Sequence, residues 1–297
     1  MRRPGGAEPR PGRPALASDL GELRAALGPG PRTVVMTMGA IHQGHLDLVA
    51  AAARHRAQDG GQVVVTIFVN PLQFGPGEDF DAYPRTLQAD LEALAPSGAD
   101  LVYAPSAEDM YPDGPPRAVI DPGPLGRVFE GAIRPGHFAG VATVVCKLAA
   151  RTGATRAVFG QKDAQQLAVV RQMVADLDLG WQVSAVPTRR EADGLALSSR
   201  NRYLTASQRQ AALARPRASA AGRHTAAQQA PASQERPAAR RALGRGPEPA
   251  FPDYLELVDP ATFDPVDDQW RGRAWLIGAL KIGRTRLIDN AEVALGA

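Results

Sequence analysis

Short apolar, β-branched runs alternate with segments of helical periodicity along most of the chain, and this alternation constrains the fold more than any other feature. The pattern predicts buried strands at residues 33–36, 63–69, 101–103, 157–159 and 181–186. It predicts helices between them at residues 45–58, 87–94, 141–150 and 164–177. Such alternation is typical of βαβ units, which build a parallel sheet with helices on both faces. We therefore expect an α/β domain over residues 15–190.

The pattern changes after residue 190. Apolar runs predict three further strands, at residues 254–258, 274–280 and 285–288, and a helix is expected at 207–214. These elements are consistent with a smaller α+β domain over residues 191–297. Residues 1–14 are rich in Arg, Pro and Gly and lack the apolar stretch of a signal peptide, so we expect a disordered tail there.

Residues 215–250 stand out within the second domain. Leu243 is their only large aliphatic residue. The segment also contains five prolines, namely Pro216, Pro231, Pro237, Pro247 and Pro249. Proline interrupts helices, and a segment with so little apolar surface does not offset its ordering entropy. The composition therefore predicts poor order over residues 215–250, and we expect chemistry carried by the preceding residues to survive their deletion.

Polar, glycine-containing segments follow three of the predicted strands, at residues 38–44, 70–77 and 160–163. Parallel sheets bind ligands at the carboxyl ends of their strands. The sequence therefore predicts a ligand site built from these segments.

The most informative segment is residues 37–45, which ends a strand and opens a helix. A helix N-terminus holds phosphate well, and Gly39 and Gly44 allow a ligand to approach the backbone. His42 and His45 add donors for the phosphates of ATP. A metal pair is the alternative, but no third ligand lies nearby in sequence. The His-x-Gly-His pattern is shared by the nucleotidylyltransferase superfamily, and the chain lacks the other common ATP cradle, a Gly-rich loop ending in Lys-Ser/Thr.

Two further segments offer partners for a nucleotide. Lys162 can place a cation on a phosphate and Asp163 can accept from a ribose hydroxyl, although a surface lysine and a helix cap are the simpler alternatives. Ser198, Ser199 and Arg200 lie in a loop that suits a triphosphate, or that merely caps a helix.

Uncharged amides suggest the second substrate. Asn70 and Gln73 suit a hydroxy acid, whose hydroxyl and carboxylate need donors and acceptors. Gln166, one helical turn after Asp163, is expected to face the same pocket. Amides that only cap turns are the alternative.

Taken together, these motifs resemble the pantothenate synthetase family in order and spacing. The matching segments are residues 37–45, 68–75, 81–86, 134–138, 159–163, 193–204 and 283–290. The resemblance implies a Rossmann-like domain followed by a smaller domain that covers the site. It implies ATP-dependent condensation of (R)-pantoate with β-alanine through a pantoyl-adenylate, with Mg²⁺, in a cytoplasmic homodimer.

The resemblance also implies roles for individual residues. It makes His45 the active-site residue, and we expect His42, Lys162 and Arg200 to act with it as catalytic groups, because carboxylate and phosphate repel each other and need positive charge around them. Gln73 and Gln166 would bind pantoate, with Gln73 also beside β-alanine, and Asp90 would lie at the magnesium site. ATP would be bound by Met38, Gly39, Ala40, Ile41, His42, Gln43, Gly44, His45, Gly160, Gln161, Lys162, Asp163, Arg189, Leu197, Ser198, Ser199 and Arg200.

Composition argues against several other classes. Cys146 is the only cysteine, which excludes an intrachain disulfide and a cysteine zinc site. No run of about 18 apolar residues is present to span a membrane. The net charge is +3, and the excess arginines lie at the N-terminus and in residues 215–245. The segment 215–245 lacks the interleaved aromatic residues of proteins that bind single-stranded nucleic acid, so we expect no nucleic-acid partner. An adenylyltransferase remains an alternative that would not need the amide pocket, and a tRNA synthetase would need an anticodon-binding module.

Overall fold

The structure is a computed structural model that describes residues 12–227, 232–243 and 251–296. Its contacts divide the chain into two compact units. The N-terminal unit comprises Met1–Pro122, Gly136–Phe159 and Val170–Val186. The C-terminal unit comprises Gly123–Pro135, Gly160–Val169 and Pro187–Ala297. The division therefore does not follow one cut near residue 190, because two short stretches of the N-terminal half belong to the C-terminal unit.

The N-terminal unit is built on a six-stranded sheet. Its strands are β1 (Ala15–Ala17), β2 (Arg32–Thr37), β3 (Gln62–Ile67), β4 (Leu101–Tyr103), β5 (Arg156–Gly160) and β6 (Gln182–Val186). Their order is β1-β4-β3-β2-β5-β6, and the pairs β1–β4, β4–β3, β3–β2 and β2–β5 are parallel. The parallel sheet predicted from the apolar runs is thus confirmed, with β1 as an additional edge strand.

Helices alternate with these strands along the chain. Those of the first 176 residues are α1 (Leu20–Ala26), α2 (Gln43–Asp59), α3 (Leu87–Leu94), α4 (Ala107–Met110), α5 (Glu130–Ile133), α6 (His137–Thr152) and α7 (Ala164–Asp176). Glycines in the left-handed conformation bound α6, with φ of 84° at Gly136 and 60° at Gly153. Such residues end helices readily because glycine has no Cβ to clash. Valines of β2 and β3 are fully buried and form the core with α2.

The three C-terminal strands that the apolar runs predict are present, and they form an antiparallel sheet in the C-terminal unit. Its strands are β7 (Phe251–Val258), β8 (Gly272–Ile282) and β9 (Thr285–Leu295), in the order β7-β8-β9. Its helices from residue 206 onward are α8 (Ala206–Ala212), α9 (Ala214–Ala227) and α10 (Ala232–Leu243). Leucines of the sheet and alanines of the helices share one buried core.

The prediction that prolines prevent regular structure in residues 215–250 is wrong for most of the described part, which forms α9 and α10. Pro216 occupies the first turn of α9, where its missing N–H has no intrahelical partner to lose. Close packing compensates for the lack of large apolar residues: Ala218 and Ala239 are fully buried, and a Cβ on Gly222 would lie 2.7 Å from Leu276. The rest of this prediction falls on residues 228–231 and 244–250, outside the described residues, as does most of the predicted tail.

Among the described residues, no helix is long and apolar enough to cross a membrane.

Candidate active site

The histidine segment forms the turn between β2 and α2, as predicted. Gly39 and Ala40 both have positive φ, of 85° and 50°, which turns the chain sharply after Thr37. His42 is the N-cap of α2, and its backbone N–H donates to Nδ1 of His45 at 3.3 Å. Because Nδ1 of His45 accepts this bond, the neutral ring carries its proton on Nε2, which is a suitable donor to a phosphate oxygen.

The two imidazoles lie face to face. Their centroids are 3.9 Å apart and their planes differ by 12°. Both rings therefore stand together at the N-terminus of α2, where the helix dipole favours an anion.

Asp90, on α3, stabilises this turn by hydrogen bonds to its backbone. Its side chain is 3% exposed, and its carboxylate accepts from the N–H of Ala40 at 3.1 Å and of Ile41 at 2.8 Å. Thr86 Oγ1 donates to the same carboxylate at 3.2 Å. A Cβ on Gly39 would lie 2.9 Å from Asp90 Oδ2, so the turn requires glycine there.

These contacts bear on the magnesium site that the resemblance places near Asp90. Three hydrogen bonds from the protein occupy most of the acceptor positions of this carboxylate. In the part of the chain that the structure describes, no group of three or more His, Cys, Asp or Glu side chains is arranged to hold a metal ion. We therefore assign Asp90 the support of the turn and derive no metal site from it.

The amide segment forms a one-turn 3-10 helix, Pro71–Gln73, beside the histidine turn. Asn70 is its N-cap and is 1% exposed. The Asn70 amide donates to Gln73 Oε1 at 3.3 Å and to the Gly140 carbonyl at 3.2 Å. With Oε1 engaged, Gln73 directs its Nε2 toward Met38, whose Sδ lies 3.0 Å away. The structure therefore brings together two segments that the sequence proposed separately.

Tyr111 fixes the other side of Asn70. Its hydroxyl donates to Asn70 Oδ1 at 3.0 Å, and burial raises the pKa of Tyr111 to about 12, so the hydroxyl stays protonated. Helix α6 contributes His137, whose Nδ1 lies 2.8 Å from the Gln73 carbonyl oxygen. The side-chain amide of Gln73 thus presents hydrogen-bond donors in a fixed orientation.

The remaining nucleotide candidates belong to the C-terminal unit. Lys162 and Asp163 lie in the 3-10 turn Gln161–Asp163 after β5, with Lys162 Nζ 3.4 Å from Asp163 Oδ1 and side chains 23% and 44% exposed.

Gln166, the second amide expected in the acid pocket, is half-buried on α7. The fully buried amide is its neighbour Gln165, which donates to the carbonyls of Leu125 and Val128, both at 2.8 Å. Gln165 therefore attaches the stretch 123–135 to α7.

Residues 189–197 form a short hairpin. The N–H of Leu197 donates to the Arg189 carbonyl at 2.9 Å, so these two candidates are adjacent. Ser198 caps the next 3-10 turn, Ser199–Tyr203, by accepting from the N–H of Arg200 at 3.3 Å. The capping that the sequence left as an alternative is thus present at Ser198.

Sequence reasoning missed two buried polar residues of β9, Asp289 and Asn290. Asn290 Nδ2 donates to the carbonyls of Gln161 and Lys162, and Asp289 forms a bidentate pair with Arg190. A signal was present for Asp289, which falls in the alternating register of Leu287, Ala291 and Val293, the apolar positions of the strand.

Comparison with known proteins agrees with the resemblance. The family model for pantoate-beta-alanine ligase matches residues 18–292. A pantothenate synthetase of Acidothermus cellulolyticus is 52% identical, over 96% of this chain and 96% of its own length. The crystal structure of pantothenate synthetase from Thermus thermophilus aligns with a TM-score of 0.88 at 47% identity, covering 94% of this chain and 99% of that one. The Francisella tularensis pantoate-beta-alanine ligase complexed with beta-gamma ATP and beta-alanine gives 0.73 at 30% identity, with 94% and 97% covered.

Proposed function

The chain belongs to the pantoate–β-alanine ligase family and is a ligase, and we propose that it condenses (R)-pantoate with β-alanine to pantothenate through a pantoyl-adenylate, with release of AMP and pyrophosphate from ATP. One observation carries the proposal beyond family membership. The histidine turn, which we assign to phosphate, and the Gln73 amide, which we assign to the acid, lie in direct contact through Met38.

In the first step, an oxygen of the pantoate carboxylate attacks the α-phosphorus of ATP, and pyrophosphate leaves. Carboxylate and phosphate repel each other, so the protein must neutralise charge and align the reactants. We assign this task to His42, His45, Lys162 and Arg200. Support for His45 comes from its bond with the His42 N–H, which holds the ring with Nε2 as the donor.

We assign pantoate to Gln73 and Gln166, with Gln73 also beside β-alanine. Gln73 is supported by its fixed orientation, because Nε2 suits an acid whose carboxylate and hydroxyl oxygens accept hydrogen bonds. The other residues that we assign to ATP lie in residues 38–44, 160–163 and 197–200, together with Arg189.

In the second step, the amine of β-alanine attacks the acyl carbon, and AMP leaves with the former carboxylate oxygen. No covalent bond to the enzyme is needed. Burial raises the pKa of the Cys146 thiol, so this side chain stays a neutral thiol and is not a nucleophile in the proposal.

Magnesium enters the proposal as the ion that accompanies ATP and offsets its phosphate charge, without Asp90 as a ligand. We further propose a cytoplasmic homodimer, on the resemblance alone.

Isotope transfer tests the proposed function. With pantoate labelled by ¹⁸O in its carboxylate, one labelled oxygen should appear in AMP after turnover. With β-alanine omitted, pyrophosphate release should require both ATP and pantoate and stop after about one turnover per site. Unlabelled AMP, or pyrophosphate release that does not depend on pantoate, would refute the adenylate route, and the latter would favour the adenylyltransferase alternative.

A further inference from the structure

Strand β9 carries two adjacent buried polar side chains. Asp289 is 5% exposed and Asn290 is 3% exposed. Burying such groups is unfavourable unless their hydrogen bonds are satisfied. The hydrogen-bond partners of Asp289 and Asn290 therefore indicate what these two residues do.

The amide of Asn290 directs both of its donors to one short turn. Nδ2 lies 2.8 Å from the Gln161 carbonyl oxygen and 2.8 Å from that of Lys162. The two N–H groups of an amide suffice for two such bonds. The backbone on either side of the Lys162 Cα is thus tied to β9, which limits where its side chain can begin.

Asp289 ties a second segment to the same point of the strand. Its carboxylate accepts from Arg190 Nη1 at 2.8 Å and from Arg190 Nη2 at 3.0 Å. Arg190 Nη2 also donates to the Asn290 carbonyl at 2.9 Å. Arg190 follows Arg189, whose carbonyl pairs with Leu197. One dipeptide of β9 therefore holds both the Lys162 turn and the 189–197 hairpin.

Helix α9 supports this dipeptide. Arg215, 2% exposed, donates to the Asp289 carbonyl at 2.7 Å and to the Leu276 carbonyl at 3.1 Å. The space for its guanidinium exists because residue 278, opposite Asp289 in the sheet, is glycine; a Cβ on Gly278 would lie 3.0 Å from Arg215 Nε. The contacts of Arg215 with the Asp289 and Leu276 carbonyls therefore lie in the buried core of the C-terminal unit and not at its surface.

We propose that Asn290 is a positioning residue for the adenylation step, setting the backbone of Gln161 and Lys162 so that the lysine ammonium meets the phosphates of ATP. The inference rests on the proposed function, since it takes Lys162 as an ATP ligand. In this proposal Asn290 acts through the turn, by its bonds to the Gln161 and Lys162 carbonyls.

Two variants and a matched control test it. Asn290→Ala removes both donors, and Asn290→Asp keeps the shape but places oxygens against two carbonyls, so its effect should be larger. Glu292→Gln, two residues further along β9 at an exposed position, is the control. Pantoate-dependent pyrophosphate release should show kcat/KM for ATP reduced about 10- to 100-fold in N290A, as expected for a misplaced catalytic group, with the KM for pantoate unchanged. E292Q should match the wild type.

Two further measurements separate positioning from mere stability. Amide hydrogen exchange should accelerate in residues 160–164 of N290A and not in β3. In a double-mutant cycle, Asn290→Ala should add less than about threefold to the loss caused by Lys162→Ala, because its effect passes through that lysine. Because N290A removes only two hydrogen bonds, it decides the question should N290D fail to fold.

Each outcome has one meaning. Additive losses in the cycle, equal shifts in the KM values for ATP and pantoate, or unchanged exchange at residues 160–164 would overturn the positioning role. A wild-type enzyme that releases no pyrophosphate from ATP and pantoate would refute the proposed function instead. In that case the exchange experiment, together with calorimetric titration of ATP into wild type and N290A, still decides whether Asn290 orders this turn for a nucleotide.

Discussion

Replacing Asp90 by Asn should destabilise the protein in the absence of any metal. The carboxylate accepts from two backbone N–H groups of the histidine turn, those of Ala40 and Ile41. Asparagine retains one acceptor oxygen and presents an NH₂ group to the other donor. One buried N–H then lacks an acceptor, which costs about 1–3 kcal/mol, and the surviving bond loses its charge assistance. Together these effects amount to roughly 2–4 kcal/mol.

Urea unfolding in EDTA measures this difference directly. The Asp90→Asn variant should lose roughly 2–4 kcal/mol of unfolding free energy, a large share of the 5–15 kcal/mol typical of a protein domain. ATP affinity should also fall, because residues 40 and 41 lie in the turn that we assign to the phosphates. Glu92→Gln on the same helix provides the control, since Glu92 is exposed and contacts only the Gln88 amide among the interactions described for it.

A magnesium titration gives the refuting result. If Asp90 were a direct metal ligand, D90N would be as stable as the wild type in EDTA, and high Mg²⁺ would restore its activity. That combination would show that the carboxylate serves the ion and that its support of the histidine turn is unimportant.

Four further substitutions test the site and its framework. Lys162→Ala should leave the fold intact and slow adenylate formation by roughly 10²–10³-fold in single-turnover assays; a loss below about fivefold would remove this lysine from the mechanism. Gln73→Ala should raise the KM for pantoate far more than that for ATP in steady-state kinetics, and equal shifts would contradict the acid pocket. Gly140→Ala places a Cβ 2.3 Å from the Leu72 carbonyl oxygen, so denaturation should show a loss of about 1–3 kcal/mol, whereas wild-type stability would mean that α6 adjusts freely. Arg215→Ala leaves two buried carbonyls without their donor and should cost about 2–4 kcal/mol in urea unfolding; wild-type stability and retained activity would instead support the view from composition that this segment is dispensable.

The segment from residue 215 onward shows where composition misleads. Prolines and the lack of large aliphatic residues predict poor order, because apolar area usually drives folding. In the structure, small residues let α9 approach the sheet closely, and Arg215 is buried because it supplies donors to the carbonyls of two strands. No local pattern in the sequence reveals a benefit that depends on a distant partner.

The histidine turn shows the opposite case. Its location between a strand and a helix could be predicted because the change from apolar run to helical periodicity is local, and its chemistry follows from two histidines at a helix N-terminus. The support of this turn by Asp90 could not be predicted, because the contact joins residues about 50 positions apart.

The sequence by itself determined the parallel sheet, the C-terminal strands, and the segments that carry the candidate chemistry, because side-chain periodicity and residue type act within a few residues of chain. Only the tertiary structure decided which of those segments touch and what holds them. The bond that fixes the Gln73 amide, the Asn290 anchor of the Lys162 turn, and the inclusion of residues 123–135 and 160–169 in the C-terminal unit all join stretches brought together by folding. Their stabilisation comes from burial and hydrogen-bond satisfaction in three dimensions, which no one-dimensional pattern encodes.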